Sequence, residues 1–281
     1  MNNLVDQIVL FGDSITQFSF NADLHGWGAY IADAYQRKFD VMNRGFSGYN
    51  TDWALPILRQ LLPTTEDQKK SKNRISLITI FFGANDAALP FAYQHVPITR
   101  YTENLSEMFN MIQNPNSMFY NPDTKIILIT QPPVNEVQWK KRCEDNGDRM
   151  NRTAEVAKAY AEAAREIAGQ HQIPVCDLWT ELMQIAGGEA VAVNGKEEIV
   201  EVTSKTCYAE EKDYKRDLSE FLLDGLHLNS NGNKLLAQVL LKTIETHYPE
   251  LAAEAVDLHL PAWRDVPQTN YEETLQYKTS N

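Results

Sequence analysis

The sequence predicts an α/β fold, a three-layer αβα sandwich built on a parallel sheet of five strands. Three observations lead to it. Short runs rich in Val, Ile and Phe alternate with longer stretches of helical period, the pattern of βαβ units. One of those helical stretches carries Ala154, Ala157, Ala161, Ala164 and Ala168 on one face, so it can lie close against a sheet. The chain has 281 residues, 43% hydrophobic and 23% charged, which is enough for one sizeable core and ordinary for a globular protein. A single domain over 1–281 is the simplest organisation.

In chain order, strands are expected at 7–11, 41–44, 75–82, 126–130 and 174–176. Helices are expected at 27–38, 52–62, 99–112, 149–168 and 231–247. Two stretches break the alternation. Residues 187–217 carry Gly187-Gly188, Asn194-Gly195 and a mixture of charges and valines, and read as an insertion with a small hairpin turning at Asn194-Gly195. From 249 a polar tail holds Leu258, Leu260, Trp263 and Tyr271, expected to pack back onto the body in pieces.

A formal net charge of −12 repels phosphate backbones and anionic lipid, so nucleic acid and membrane surfaces are not the expected partners. The run Lys140-Lys141-Arg142 sits beside Glu144, Asp145 and Asp148 and reads as a solvated face. Cys143, Cys176 and Cys207 have neither metal-like nor redox spacing, which suits a reducing compartment. The N-terminal apolar run is short, with no basic stretch before it, and no segment has the length of a bilayer span. The expectation is a soluble cytoplasmic protein without stable membrane insertion, and a homodimer stays open.

In an open parallel sheet, ligands sit in the crevice beyond the carboxyl ends of the strands. Here the first strand ends at Gly12-Asp13-Ser14, the second at Arg44–Thr51 with Gly45 and Gly48, and the third at Phe82–Asp86 with Asn85. A loop that had only to turn would not need Ser14, Gly48 and Asn85 together. A fourth piece lies in Phe221–Lys234, where Asp224 and His227 stand three residues apart and can share one face. Of the six histidines only His227 has a carboxylate three residues before it, and no pair has the spacing of a zinc site.

A serine at a strand end, a histidine and an acid to orient it are the parts of a nucleophilic hydrolase. On that reading Ser14 attacks a carbonyl carbon, His227 moves the proton and Asp224 holds the imidazole. The backbone N–H groups of Ser14 and Gly48 and the side-chain amide of Asn85 would receive the oxyanion, and glycine at 48 would permit close backbone approach.

These blocks, GDS, GFSGYNT, GAND and DGLH, resemble the four blocks of the SGNH (GDSL) family of esterases and lipases. Within it, FGDSIT, RGFSGY, FFGANDA, DGLH and the late WRDV are most similar to the isoamyl acetate-hydrolysing esterases. The resemblance implies a flavodoxin-like sandwich, no metal or organic cofactor, and small carboxylic esters with a short acyl group as substrates. Ile15 replaces the leucine of the family's name, and 187–217 is longer than this subgroup leads one to expect.

Simpler readings apply to several neighbours. Asp13 would bond the amides of its own loop and Asp86 its own turn. Ser47 imitates a nucleophile elbow, but Tyr49 stands where the last glycine belongs, which makes Ser47 a decoy. Aromatics such as Phe18, Phe46, Tyr49, Trp53 and Phe91 are individually core residues, with some bordering the crevice. The alternatives are a lipase or thioesterase for longer chains, a non-catalytic binding module on the same sheet, and an aspartyl phosphatase. The last would need a second aspartate where Ile15 stands.

Overall fold

The sheet is built outward from the apolar run Val9, Leu10 and Phe11. In the computed structural model, which describes residues 5–71, 73–186 and 217–276, β1 (Gln7–Gly12) is flanked by β2 (Asp40–Gly45) and β3 (Ile75–Phe81). β4 (Lys125–Ile129) and β5 (Val175–Cys176) extend it in the order β2-β1-β3-β4-β5, with every pairing parallel. Each predicted strand is present to within one residue or so at its ends. Gly12 pairs with Gly45 on one side and Phe81 on the other, so the three strands nearest the N-terminus finish level.

Successive side chains of a strand point to opposite faces, and the strands use this to serve two cores. Ile8, Leu10, Leu77, Ile127 and Ile129 face α2 (Trp27–Ala34), α6 (Glu136–Asp145), α8 (Leu178–Ile185) and α9 (Ser230–His247). Val9, Phe11, Ile78, Ile80, Ile126 and Leu128 face α3 (Thr51–Leu61), α5 (Ile98–Gln113) and α7 (Ala154–Gln170). This is the expected three-layer sandwich. The remaining helices, α1 (Ser14–Gln17), α4 (Thr65–Gln68) and α10 (Tyr271–Thr274), are single turns.

Capping sets where the helices start. Thr153 Oγ1 accepts from Val156 N, so α7 begins at Ala154 and not at 149, and the segment before it, including Arg152, is free to run under the strand ends. The alanine face is real from Ala157 onward, with Ala161, Ala164 and Ala168 fully or nearly fully buried, but Ala154 is exposed. α2 ends at Ala34, short of the predicted 38, because Arg37 turns the chain back with φ +62°.

Two full helices, α6 and α8, were not anticipated. In α6 only Trp139 and Cys143 are buried, one turn apart among charged residues, too sparse a stripe to read as a helix. Its Lys140 and Lys141 are solvated beside Glu144 and Asp145, as expected, whereas Arg142 turns toward Trp139 and Asp224. The tail packs back in pieces, as expected, but not through its aromatic residues. Trp263 and Tyr271 are 78% and 48% exposed, and the tail is held instead by backbone, with Arg37 Nη2 donating to Leu260 O and Pro261 O. The 187–217 insertion, its Asn194-Gly195 turn and Cys207 lie outside the described residues, Asp217 excepted. Among the described residues no helix is long and apolar enough to cross a membrane.

The close approach of α7 makes a direct test. Ala164 has no exposed surface, so Ala164→Leu must push the helix off the sheet and should lower stability by about 1–3 kcal/mol. Urea unfolding followed by circular dichroism measures the loss, and an exposed control, Ala154→Leu, should change it little.

Candidate active site

Ser14 is the first residue after the cap of α1. Asp13 Oδ1 accepts from Ile15 N at 2.9 Å, the local role read from the sequence, and this fixes the turn that lifts Ser14 off the end of β1. Ser14 Oγ lies 2.9 Å from His227 Nε2, joining residues 213 apart in sequence. On the other side of the ring, His227 Nδ1 lies 2.8 Å from Asp224 Oδ2, and Asp224 Oδ1 accepts from the backbone N–H groups of His227 and Leu226 at 2.9 and 3.1 Å. Burial pushes the Asp224 carboxyl up. The hydrogen bond and charge of His227 and the two backbone N–H groups outweigh that and hold it at about 2. The histidine therefore always meets an ionised acid near neutral pH.

The loop carrying this pair is clamped from both ends. Leu222 and Leu228 form an antiparallel bridge, and Leu223 N donates to His227 O at 2.7 Å. Gly225, at φ +93°, lies against the start of α6, where a Cβ would come within 2.5 Å of Asn135 O and 2.6 Å of Trp139 N. The helix that the sequence did not reveal is thus the seat of the histidine loop.

Gly48 and Asn85 come together beside Ser14's strand end. Gly48 sits at φ +82°, and the nearest atom to where its Cβ would be is Gln94 Nε2 at 3.4 Å. Glycine is needed here for the positive φ and not, as far as the protein's own atoms go, for close approach. Asn85 Nδ2 donates to Tyr49 O at 2.8 Å, and Asn85 Oδ1 accepts from Gln94 Nε2 and Arg152 Nη2 at 3.0 and 2.9 Å. Gln94 Nε2 also donates to Gly48 O at 2.9 Å. Gln94 and Arg152 carry no motif, and the sequence reading passed over both.

Asp86 does more than stabilise its own turn. Its Oδ1 accepts from both Thr51 N and Thr51 Oγ1, tying the end of β3 to the first turn of α3. Burial lifts its carboxyl from the ordinary 3.8 to about 7, against the pull of those Thr51 hydrogen bonds. Ser47 is exposed, and it is Ser14 that meets a histidine. Of the aromatics, Phe18 borders the site with its ring 6.0 Å from that of His227. Phe46, Tyr49, Trp53 and Tyr93 form a chain of ring contacts leading away from Gly48 to the surface. Phe91 is covered by the guanidinium of Arg149.

A model of the GDSL-like Lipase/Acylhydrolase family matches residues 10–235, a span holding every residue of the site. The chain belongs to that family. Among GDSL relatives, a Homo sapiens protein named isoamyl acetate-hydrolyzing esterase 1 homolog is 37% identical over 274 residues, covering 96% of this chain and 91% of the relative. The isoamyl acetate-hydrolyzing esterase of Saccharomyces cerevisiae is 31% identical, covering 93% and 95%. A lipase/acylhydrolase from Enterococcus faecalis shares the GDSL fold with a TM-score of 0.56 at 24% identity, over 86% of this chain and 96% of that one.

The buried Asp86 yields a pH-dependent test. Its carboxyl holds a proton more tightly in the fold than in the unfolded chain, so it favours the fold most below about pH 4, and that advantage is lost as the pH rises through about 7. Asp86→Asn keeps an acceptor for Thr51 and removes the titration. Between pH 4 and 7 the wild type should lose stability relative to the variant, by at most about 1.4 kcal/mol per pH unit. Denaturant unfolding of both proteins across that range reads the slope, and parallel curves would disprove the assignment.

Proposed function

We propose that this protein is a serine esterase that cleaves short-acyl carboxylic esters, such as acetates of small alcohols, through an acyl-enzyme. One observation carries the reading: the unbroken chain Ser14 Oγ, His227 Nε2, His227 Nδ1, Asp224 Oδ2, with links of 2.9 and 2.8 Å. Neutral His227 takes the proton of Ser14 as its oxygen attacks the ester carbonyl carbon, and the ionised Asp224 steadies the imidazolium that results. The backbone N–H groups of Ser14 and Gly48 and the Asn85 amide receive the negative oxygen of the tetrahedral intermediate. Collapse breaks the carbon–oxygen bond to the alcohol, which leaves with the proton from His227. Water, deprotonated by His227, then attacks the acyl carbon, and collapse breaks its bond to Ser14 Oγ, which takes the proton back from His227 as the acid leaves.

The ester class rests on the names of the relatives together with this triad. The short acyl preference is supported by Phe18, whose ring stands edge-on to that of His227 with centroids 6.0 Å apart and so puts apolar bulk next to the triad. Phe91 adds nothing to this, since its ring is engaged with Arg149.

Ser14→Ala should keep the fold and lower kcat on p-nitrophenyl acetate by roughly 10³-fold or more, with Ser47→Ala near wild type. Near-normal turnover by folded Ser14→Ala would remove the nucleophile from the scheme.

Across acetyl, butyryl, octanoyl and palmitoyl esters of one alcohol, kcat/KM should be greatest for acetyl and fall by roughly tenfold or more by octanoyl. Phe18→Ala should recover part of the loss. A maximum at octanoyl or beyond would mean a lipase-like groove.

A further inference from the structure

Arg152 is only 4% exposed, yet among the described residues no carboxylate lies within ion-pairing distance of it. Instead its guanidinium spreads over four neutral oxygens, each 2.9 Å away. Nε donates to Ala84 O, Nη1 to Asn151 Oδ1, and Nη2 to both Asn85 Oδ1 and Gln94 Oε1. The face of Trp139 supports it, with the guanidinium carbon 4.8 Å from the ring. Taking a cation out of water and giving it only neutral partners is costly. Asp13 and Asp224 act on the cation only from beyond ion-pair distance, so its charge is offset at range and not by contact.

The arrangement removes the ambiguity of the Asn85 carboxamide. With Arg152 Nη2 and Gln94 Nε2 both donating to Oδ1, the oxygen must face them, and Nδ2 must face the loop of Gly48 and Tyr49. A neutral donor pair could fix that orientation too. A cation does one thing more, since it draws electron density toward Oδ1 and makes the Nδ2 hydrogens stronger donors. It also sets a buried positive charge, not cancelled by direct contact with an acid, one side chain away from where an oxyanion would form.

We infer that Arg152 is a positioning residue of the oxyanion site, acting through Asn85 to aim and strengthen the amide that receives the developing negative charge. This rests on the esterase reading above. Gln94 completes the clamp by linking Asn85 Oδ1 to Gly48 O, so two of the three oxyanion donors hang from one polar cluster. Arg152 touches no reacting atom. Its effect is confined to the transition state, where the oxygen that Asn85 receives carries more negative charge than it does in bound substrate.

The test is a double-mutant cycle on p-nitrophenyl acetate hydrolysis, with Arg152→Met made in wild type and in Asn85→Ala. In wild type, kcat should fall by about 10–100-fold with KM changed less than about threefold, a loss somewhat smaller than that of removing an oxyanion donor outright. In Asn85→Ala the same substitution should cost less than about threefold. The affinity of an alkyl trifluoromethyl ketone, which adds to the serine to give a tetrahedral oxyanion, should fall in parallel with kcat/KM. Should Arg152→Met fail to fold, Arg152→Lys replaces it in the cycle. One ammonium cannot span four acceptors, so a smaller kcat loss is expected, again suppressed without Asn85. Equal losses in both backgrounds would mean a purely structural role and overturn the inference alone. A wild type inactive on every ester would overturn the esterase reading, and this inference with it.

Discussion

The placement of Ser14, Gly48 and Asn85, against which the histidine loop must dock, depends on the level ending of three parallel strands. A parallel sheet with helices on both faces is mostly apolar along its strands and leaves its polar chemistry to the strand ends. Gly12, Gly45 and Phe81 stand side by side, so whatever follows each strand emerges at the same height. Because β1 lies between β2 and β3, the residue after it is central and those after its neighbours flank it. Strand order thus delivers Ser14, Gly48 and Asn85 to one edge, and Gln94 and Arg152 then tie the last two together. The strands themselves are an apolar slab that could carry other chemistry at the same edge.

Beneath the edge lies a layer of buried polar groups that an apolar core would not tolerate unpaired. Asp13, Asp86, Thr51, Asn85, Asn104 and Arg152 are all nearly fully buried, and they are wired to one another and to backbone. The burden shows in the raised carboxyls of Asp13 and Asp86, at about 6 and about 7, both driven by desolvation. Asp86 Oδ2 is buried without a hydrogen-bond partner among the described residues. Such networks cost stability and return rigidity. Here the rigidity falls on the Gly48 and Asn85 loops, which Gln94 and Arg152 hold together.

The histidine arrives from the far end of the chain by a different device. Its loop belongs to no strand and is held by one bridge, a glycine at positive φ and the start of α6. Trp139 on that helix contacts two guanidinium groups, Arg142 beside Asp224 and Arg152 beside Asn85. The acid end and the amide end of the site therefore share a support that neither motif contains.

By itself the sequence determined the layers, all five strands and five of the helices, and it singled out Ser14, Gly48, Asn85, Asp224 and His227 as candidates. Those features are local. Runs of Val and Ile mark buried strands, alanine spacing marks a close-packed helix, and a carboxylate three residues before a histidine marks a pair within one turn. What only the tertiary structure decided has no local signature. Strand order brought the three strand ends together. α6 buries too few residues to show a stripe, yet it seats Gly225. Arg152 sits in a segment that reads as the start of a helix, and it counts only because Thr153 caps α7 one residue later and leaves the guanidinium to turn beneath Asn85. Asp86 reads as a turn residue until Thr51, 35 positions earlier, is folded against it. A side chain's partner across the fold is set by the geometry of packing, and no spacing along the chain encodes it.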